Sequence, residues 1–247
     1  MSIERKIEKV VAWLQQKVEE SGTKGIVVGI SGGIDSAVVA NLIKKAFPEN
    51  SLGVILPIKS SPKDVIDGRL VAEKAGIKNM TIDLTQEHSE MLSKIFDSLL
   101  QQNLFEEKNR RITDANLRAR LRMTTLYGIA NQLNYLVAGT DNAAEVYTGY
   151  FTKYGDGGVD ILPIATLKKY EVYEWAKALG VPKEVLDREP SAGLWEGQTD
   201  EEEMGTTYSL IDAHLEGKEI PKKDLEIIER LHRISEHKRV MPPFPEI

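Results

Sequence analysis

The stretch from Gly29 to Ser36 combines the residue types that a phosphate-binding turn requires. It contains three glycines, two serines and one acid, in the order Gly29, Ile30, Ser31, Gly32, Gly33, Ile34, Asp35 and Ser36. An apolar, β-branched run precedes it and a run with helical spacing follows. A glycine turn that opens a helix directs unpaired N–H groups and the positive end of the helix dipole at one point. The sequence therefore predicts an anion site here, with Ser31 and Ser36 as additional donors.

Asp35 lies where a phosphate is expected, and this placement favours a cation between the two. Carboxylate oxygens are hard ligands that suit Mg²⁺. The loop lacks the lysine of a P-loop and the glycine spacing of the dinucleotide fingerprint, so neither common phosphate motif applies. The alternative is an ordinary strand-to-helix turn whose glycines serve packing.

The order of elements predicts an α/β fold, a doubly wound parallel sheet flanked by helices. Strand-like runs lie at 25–28, 52–58, 78–83 and 135–139. Helical patterns lie at 3–18, 37–46, 62–75, 85–104, 113–133, 168–179, 208–215 and 223–235. Ligands of such sheets bind beyond the carboxyl ends of the strands, where the glycine loop is expected. We predict a single domain over residues 1–247.

Composition excludes several classes of function. The net charge of −6 argues against a nucleic-acid surface built on bulk positive charge. The absence of cysteine excludes thiolate catalysis, disulfides and cysteine-ligated metals. We find neither an apolar signal core nor an uncharged run long enough to span a bilayer, so we expect a cytoplasmic protein without a membrane partner.

A second polar turn follows the strand-like run at 135–139 and contains Glu145. A carboxylate at a second strand-to-helix junction is a candidate ligand for the cation held by Asp35. The alternative is that Glu145 completes a capping box with Asn142, three residues earlier.

Three further segments carry candidate chemistry. Residues 149–160 are rich in glycine and aromatics and contain Asp156, a candidate base, although a hairpin turn explains the glycines equally well. Three arginines alternate over 118–122, which suits either phosphate binding or a salt-bridged surface. The segment 190–203 lacks periodicity and is predicted to be a mobile loop or lid.

Together these segments resemble a known family. The loop from Ser31 to Ser36 resembles the SGGxDS loop of the N-type ATP pyrophosphatases, which cleave ATP between its α and β phosphates. Four further blocks, at 116–123, 139–145, 148–157 and 235–239, resemble the ammonia-dependent NAD synthetases of that superfamily. The resemblance covers nearly the whole chain in order and implies an adenine nucleotide alpha hydrolase-like fold with Rossmann-like layering.

The resemblance implies a role for each matching residue. ATP would be held by the loop Gly29–Ser36 together with Thr140, Lys169 and Ser191, and Mg²⁺ by Asp35 and Glu145. Deamido-NAD would be held by Arg120, Lys153, Asp160, His237 and Lys238. Asp35 and Lys169 would act in catalysis, and Asp156 is our candidate for the base or the ammonium site.

The implied reaction is the last step of NAD biosynthesis, the ATP- and Mg-dependent amidation of deamido-NAD by ammonia. It would yield NAD, AMP and pyrophosphate through an acyl-adenylate, in a homodimer whose interface could involve 3–18 or 113–133. Fusion members of the family carry a glutaminase domain with a catalytic cysteine. Because this chain has no cysteine, we expect no glutaminase domain and free ammonia as the nitrogen donor.

Two residues depart from the family pattern: Asn142 stands where several relatives have histidine, and Ser191 where threonine is common. Two other functions share the glycine loop. One is a different adenylating amidotransferase, such as a GMP synthetase-like domain, and the other is a nucleotide sensor that holds ATP without turnover.

Overall fold

The protein is built around a four-stranded parallel sheet with helices on both faces. The computed structural model describes residues 1–188, 190 and 199–246. The strands are β1 (Gly25–Gly29), β2 (Ser51–Ile55), β3 (Lys78–Thr81) and β4 (Tyr135–Ala138). They are all parallel and lie in the order β3-β2-β1-β4. The predicted α/β, doubly wound fold is confirmed.

The helices alternate with the strands in the first part of the chain and follow one another in the last. They are α1 (Ile3–Ser21), α2 (Ile34–Ala46), α3 (Pro62–Ala75), α4 (Thr85–Gln101), α5 (Arg110–Leu133), α6 (Ala143–Thr148), α7 (Lys169–Ala178), α8 (Lys183–Leu186), α9 (Asp200–Met204), α10 (Tyr208–Leu215) and α11 (Lys222–Ile234). Strand β2 ends at Ile55, earlier than the apolar run predicts, and Pro57, which has no backbone N–H to donate, follows two residues later.

Strand β1 shows how the sheet separates two apolar layers. Alternate side chains of a strand point to opposite faces. Ile26 and Val28 accordingly pack into the cluster formed with α1, α2 and α7. Val27 packs on the other side, in the cluster that contains residues of α5. Burial on both faces explains why this strand reads as a continuous apolar run.

Helix α1 belongs to one of these layers. Its apolar residues Leu14 and Val18 are buried within the chain, and the helix contacts α2 and α7. The apolar periodicity at 3–18 is therefore accounted for by packing within the chain. Among the described residues, no helix is long and apolar enough to cross a membrane.

The strand order places two loops side by side. Strand β1 has β2 on one flank and β4 on the other, so the chain leaves β1 and β4 in opposite directions across the sheet. A crevice forms at such a switch point, outside the carboxyl ends of the strands. The glycine loop after β1 and the polar turn after β4 therefore meet at one edge.

Candidate active site

A cavity of about 450 Å³ lies at this edge of the sheet. Its lining comes from the glycine loop after β1, the turn after β4, the loop at 149–158, helix α5 and the C-terminal part of the chain. The predicted site residues that line it are Gly29, Ile30, Ser31, Gly33, Ile34, Asp35, Ser36, Thr140, Glu145, Asp156 and Lys238. Residues that the sequence places far apart thus converge on one cavity.

The serines of the glycine loop bind within the loop itself. The Ser31 N–H donates to Ser36 Oγ at 3.3 Å, and the Gly33 N–H donates to Ser31 Oγ at 3.2 Å. The Ser36 hydroxyl donates to the Gly33 carbonyl at 2.9 Å. Within the described chain, no side chain caps the N-terminus of α2. The first-turn N–H groups of α2 are therefore available to an anion.

Gly32 is the member of the loop that faces away from the cavity. Its φ of +83° lies in the left-handed region, and a Cβ at this position would come within 2.8 Å of Asp67 Cβ and 3.0 Å of Gly68 N on α3. Glycine is required here both by backbone conformation and by the close approach of α3. Packing against α3 thus fixes the shape of the loop.

Lys169, the first residue of α7, lies between the two predicted metal ligands. Its Nζ is 2.7 Å from Asp35 Oδ2 and 3.5 Å from Glu145 Oε1. The side chain of Lys169 is only 4% exposed. Two carboxylates from different strand-to-helix junctions therefore meet at a single cationic group beside the glycine loop.

Asn142 joins the two junctions. Its side-chain amide donates to Asp35 Oδ1 at 2.9 Å, and its Oδ1 accepts from the N–H groups of Ala144 and Glu145. Its own N–H donates to Glu145 Oε2 at 3.0 Å. The capping box that was the alternative for Glu145 therefore exists, and it leaves the second carboxylate oxygen, Oε1, directed at Lys169.

Burial and charge act in opposite directions on these groups. Burial disfavours the carboxylate of Glu145 and, with Asp35 nearby, raises its pKa to about 7 although Lys169 opposes the shift. Burial also disfavours the ammonium of Lys169, but Asp35 and Glu145 outweigh it and raise the pKa of Lys169. Lys169 therefore stays charged at neutral pH.

Asp141 is a further acid in this cavity, and no role was predicted for it. It is 6% exposed and lines the cavity next to Thr140. Burial raises its pKa well above the ordinary value, and the nearby Asp156, Glu145 and Asp35 add to the shift. Asp141 lies in the polar turn that follows β4, and this position is the sequence signal that could have identified it.

Replacing Asp141 with asparagine is expected to stabilise the protein more at high pH than at low pH, because burial raises the pKa of this carboxyl. A carboxyl whose pKa is raised on folding contributes stability below its unfolded pKa, and that contribution is lost as the pH rises through the folded pKa. Thermal unfolding at pH 5.5 and pH 8, without added ligands, tests this. The melting temperature of Asp141→Asn should exceed that of the wild type by more at pH 8 than at pH 5.5. An equal difference at both values would contradict it.

Asp156 is held in a compact loop that reaches the cavity. Its Oδ1 accepts from the Thr152 N–H at 2.9 Å, and Gly155 packs so closely on α5 that a Cβ there would lie 2.8 Å from that of Ala119. Residues 153–157 form consecutive turns without flanking strands, so the hairpin alternative does not apply. Burial raises the pKa of Asp156, which brings this carboxyl closer to the range of a general base.

Most residues predicted to hold deamido-NAD lie outside the cavity lining. The Arg120 guanidinium donates to the Lys153 carbonyl at 3.3 Å, and the Lys153 ammonium donates to the His237 carbonyl. These three residues therefore form one connected group. Lys238 does line the cavity, and its ammonium donates to the carbonyls of Gly149 and Phe151, at 2.7 and 2.6 Å.

Asp160 has a separate position. It accepts from the Tyr127 hydroxyl at 2.8 Å and from the Val137 N–H at 2.8 Å. These contacts fix it against β4 and α5, and none of them involves Arg120, Lys153 or His237.

The three alternating arginines have three different environments. Arg118 is buried and pairs with Asp114 at 2.7 Å. Arg122 lines the cavity and donates to the Leu56 carbonyl at 2.9 Å; burial lowers its pKa to about 10. Arg120 is exposed. The salt-bridge interpretation therefore applies to Arg118, and a cavity-facing guanidinium comes from Arg122, which sequence reasoning did not select.

Ser191 and most of the predicted lid at 190–203 lie outside the described residues. On either side of that gap, Arg188 pairs with Asp64 at 2.5 Å and with Asp67 at 3.2 Å, and Asp200 lines the cavity. Neither residue belongs to a recognisable motif, so the sequence offered no signal for them.

The carboxylate oxygens of Asp35 and Glu145, which meet at Lys169, are ligands that suit a hard divalent cation. Over residues 1–188, 190 and 199–246, no cluster of three or more acids or histidines could hold a metal by itself. Two carboxylate oxygens, from Asp35 and Glu145, nevertheless converge on one positive charge. Mg²⁺ is commonly bound in this way, by one or two carboxylates together with substrate phosphates and water.

Comparison with known proteins gives a consistent result. The NAD synthase family model matches residues 6–242. A relative from Alkaliphilus oremlandii, named NH(3)-dependent NAD(+) synthetase, is 70% identical over 246 residues, which cover 100% of this chain and 98% of the relative.

Solved structures agree over the full length. The NMN synthetase of Francisella tularensis is similar with a TM-score of 0.92 and 42% identity, and the NH3-dependent NAD synthetase of Campylobacter jejuni with a TM-score of 0.76 and 28% identity. Each comparison covers 100% of both chains. Because sequence and structure agree over almost every residue, this chain belongs to the NAD synthase family.

Proposed function

We propose that this chain is an ammonia-dependent NAD synthetase, a ligase that uses ATP to convert the nicotinate carboxylate of deamido-NAD into the carboxamide of NAD. The observation that carries the proposal is the convergence of Asp35, Lys169 and Glu145 beside the N-terminus of α2. The match to the NAD synthase model over residues 6–242 favours this reaction over that of a GMP synthetase-like domain.

The reaction must begin by activating a carboxylate, because ammonia cannot displace an oxide. An oxygen of the nicotinate carboxylate attacks the α-phosphorus of ATP, and the bond to the bridging oxygen breaks, releasing pyrophosphate. Positive charge placed at the transferring phosphoryl group stabilises this transition state. Lys169 is a buried cation paired with Asp35 of the glycine loop, and Thr140 lines the cavity, so we assign both to the ATP phosphates. By resemblance, Ser191 would join them.

We assign a magnesium ion to Asp35 and Glu145. When bound, it would neutralise charge on the phosphates and polarise the phosphoryl oxygens. The two carboxylates present oxygen ligands at the point where Lys169 lies, and Asn142 holds Asp35 in place.

The second step needs ammonia in its neutral form. Its nitrogen attacks the carbonyl carbon of the adenylate, AMP leaves, and the nitrogen loses a proton. Asp156 and Asp141 both line the cavity as carboxyls with raised pKa values. We assign Asp156 as the base or ammonium site because its glycine-rich loop brings it to the cavity beside Lys238.

Replacing Asp156 with asparagine is expected to slow NAD formation by about a hundredfold while adenylate still forms, since general-base catalysis contributes roughly this much. Pyrophosphate release and NAD formation are measured in parallel at neutral pH. Asp97→Asn, which changes an exposed acid on α4, serves as the control. If Asp156→Asn retains full amidation, the assigned role is wrong.

Deamido-NAD is assigned to Arg120, Lys153, Asp160, His237 and Lys238. Since only Lys238 of these lines the cavity, we infer that the dinucleotide extends from the cavity across the surface, where a second copy of the chain would cover it. Exposed apolar side chains on and beside α4 and α5 support a homodimer through this face: Met91, Leu100, Leu104, Ile112 and Leu133. Sedimentation of the purified protein tests the dimer.

A second candidate acceptor is nicotinate mononucleotide. The structural relative from Francisella tularensis, named NMN synthetase, has 42% identity and a TM-score of 0.92. The same two-step chemistry would convert this smaller acid into its amide, and the cavity alone would hold it. Because ATP is the co-substrate for either acceptor, we place the enzyme in the cytoplasm.

One experiment separates these possibilities. The protein is mixed with Mg-ATP, deamido-NAD or nicotinate mononucleotide, and either ammonium or glutamine; NAD, NMN and pyrophosphate are then measured. We expect NAD and pyrophosphate in equal amounts with ammonium. Preference for the mononucleotide would favour the second candidate, and equal rates with glutamine would contradict ammonia dependence. No pyrophosphate under any condition would favour the nucleotide sensor.

A further inference from the structure

Tyr208, the first residue of α10, contacts three charged groups around the cavity. It is 4% exposed. Its hydroxyl oxygen lies 2.9 Å from Glu145 Oε1 and 2.9 Å from Asp200 Oδ2. The ammonium of Lys169 lies 4.5 Å from the centroid of its ring. A single phenol therefore touches α6, α7 and α9.

The hydroxyl completes the fixation of Glu145. Oε2 of that carboxylate is already held by the Asn142 N–H at 3.0 Å, and Tyr208 contacts the other oxygen. The phenol carries one proton, which it shares between Glu145 Oε1 and Asp200 Oδ2. A hydrogen bond to a carboxylate is among the stronger ones in proteins, and contacts from two directions favour one orientation of Glu145. Glu145 Oε1 is thereby kept beside Lys169.

The ring and the rest of α10 fix Lys169. An ammonium over an aromatic face is attracted by the negative π-cloud. Further along α10, Asp212 accepts from the Lys169 N–H and the Tyr170 N–H, both at 3.1 Å. Helix α10 therefore holds Lys169 at its backbone through Asp212 and at its ammonium through Tyr208.

We propose that Tyr208 is a positioning residue, which sets the geometry between the Lys169 ammonium and the Glu145 carboxylate without touching the substrates. Tyr208 lies behind the cavity lining and contacts the two residues that reach the glycine loop. The inference rests on the proposed function for its catalytic consequence. Its structural core, the orientation of the Glu145 carboxylate, stands on these contacts, and its effect on cation binding rests on the magnesium site assigned above.

The test is Tyr208→Phe, which retains the ring over Lys169 and removes only the hydroxyl. Mn²⁺ binding is followed by electron paramagnetic resonance with a non-hydrolysable ATP analogue, and steady-state kinetics are measured with deamido-NAD. We expect the Mn²⁺ dissociation constant to rise and kcat to fall, each by about tenfold, as for the loss of a charge-assisted hydrogen bond. KM for deamido-NAD should stay within about twofold, because no substrate contact is removed.

Tyr170→Phe is the matched control. The Tyr170 hydroxyl also contacts a carboxylate, Glu216 at 3.0 Å, but the residue is 45% exposed and points away from the cavity. Its removal should leave Mn²⁺ binding and kcat unchanged. Thermal unfolding of both variants separates a folding defect from a local one, and binding is measured at a temperature where each is fully folded.

Wild-type Mn²⁺ affinity and wild-type kcat in Tyr208→Phe would overturn the inference. A lowered melting temperature as the only effect of Tyr208→Phe would also overturn it, because a residue that only packs against its neighbours would give that result. If the wild-type protein itself binds no Mn²⁺ with the analogue, the cation site and the inference fall together. If Mn²⁺ binding changes as expected but no NAD forms even in the wild type, only the proposed function is wrong.

Discussion

Replacing Lys169 with methionine is expected to slow NAD formation by about a hundredfold to a thousandfold and to destabilise the fold. The substitution leaves the carboxylates of Asp35 and Glu145, which are 18% and 12% exposed, without their cation. Breaking a fully buried pair costs about 3–5 kcal/mol, so we expect a loss near the low end of that range. Loss of a preorganised charge at the phosphates is expected to lower kcat by about a hundredfold to a thousandfold. Urea denaturation and the NAD assay measure the two effects.

Added magnesium separates the loss of stability in Lys169→Met from its loss of activity. A divalent cation that binds Asp35 and Glu145 should restore part of the stability of Lys169→Met but not its activity, because the phosphates still lack the ammonium. Lys177→Met, on the exposed face of the same helix, should behave as the wild type. A Lys169→Met variant that is as active as Lys177→Met would exclude Lys169 from catalysis.

Replacing Gly32 with alanine is expected to be the second most damaging change. The left-handed backbone costs a residue with a Cβ about 1–2 kcal/mol. The new Cβ would also lie 2.8 Å from Asp67 Cβ and 3.0 Å from the backbone of Gly68, so the loop must move away from α3. We expect KM for ATP to rise more than about tenfold, since misplaced binding groups lose most of their contribution.

Gly22→Ala separates conformational strain from displacement of the loop. Gly22 has a similar φ of +66° at the end of α1, but a Cβ there would meet nothing within 4 Å. It should lose a comparable amount of stability through strain alone and keep the wild-type KM for ATP. If both variants bind ATP normally, the contact between the loop and α3 does not shape the nucleotide site.

Local patterns predicted the sheet and half of the candidate site. Strand β1 and the loop from Gly29 to Ser36 could be read directly, because an apolar run, a glycine turn and an amphipathic helix are adjacent in sequence. Thr140 and Glu145 follow β4 in the same manner. Parallel topology then requires that both loops lie at the carboxyl edge, so their meeting could be predicted without coordinates.

Contacts between distant helices could not be predicted in this way. Tyr208 and Asp200 belong to short helices without a motif. Tyr208 reaches Glu145 only through the packing of α10 on α6, and Asp200 contacts Tyr208. Arg118, Arg120 and Arg122 are separated by steps of about 200° around α5. Which of them faces the cavity depends on how α5 lies on the sheet. The resemblance assigned Arg120 to deamido-NAD, whereas the guanidinium that lines the cavity is that of Arg122.

The capping of α7 by Asp212 has a consequence for the order of folding. The ion pair between Lys169 and Asp35 joins residues 134 positions apart, and the backbone of Lys169 is fixed only when α10 docks. Contacts of such long sequence separation form late, because loop closure must precede them. During synthesis, the nucleotide loop and its acid emerge long before the lysine and helix that complete the site. The site around Lys169 therefore assembles only after α10 has emerged and docked on α7.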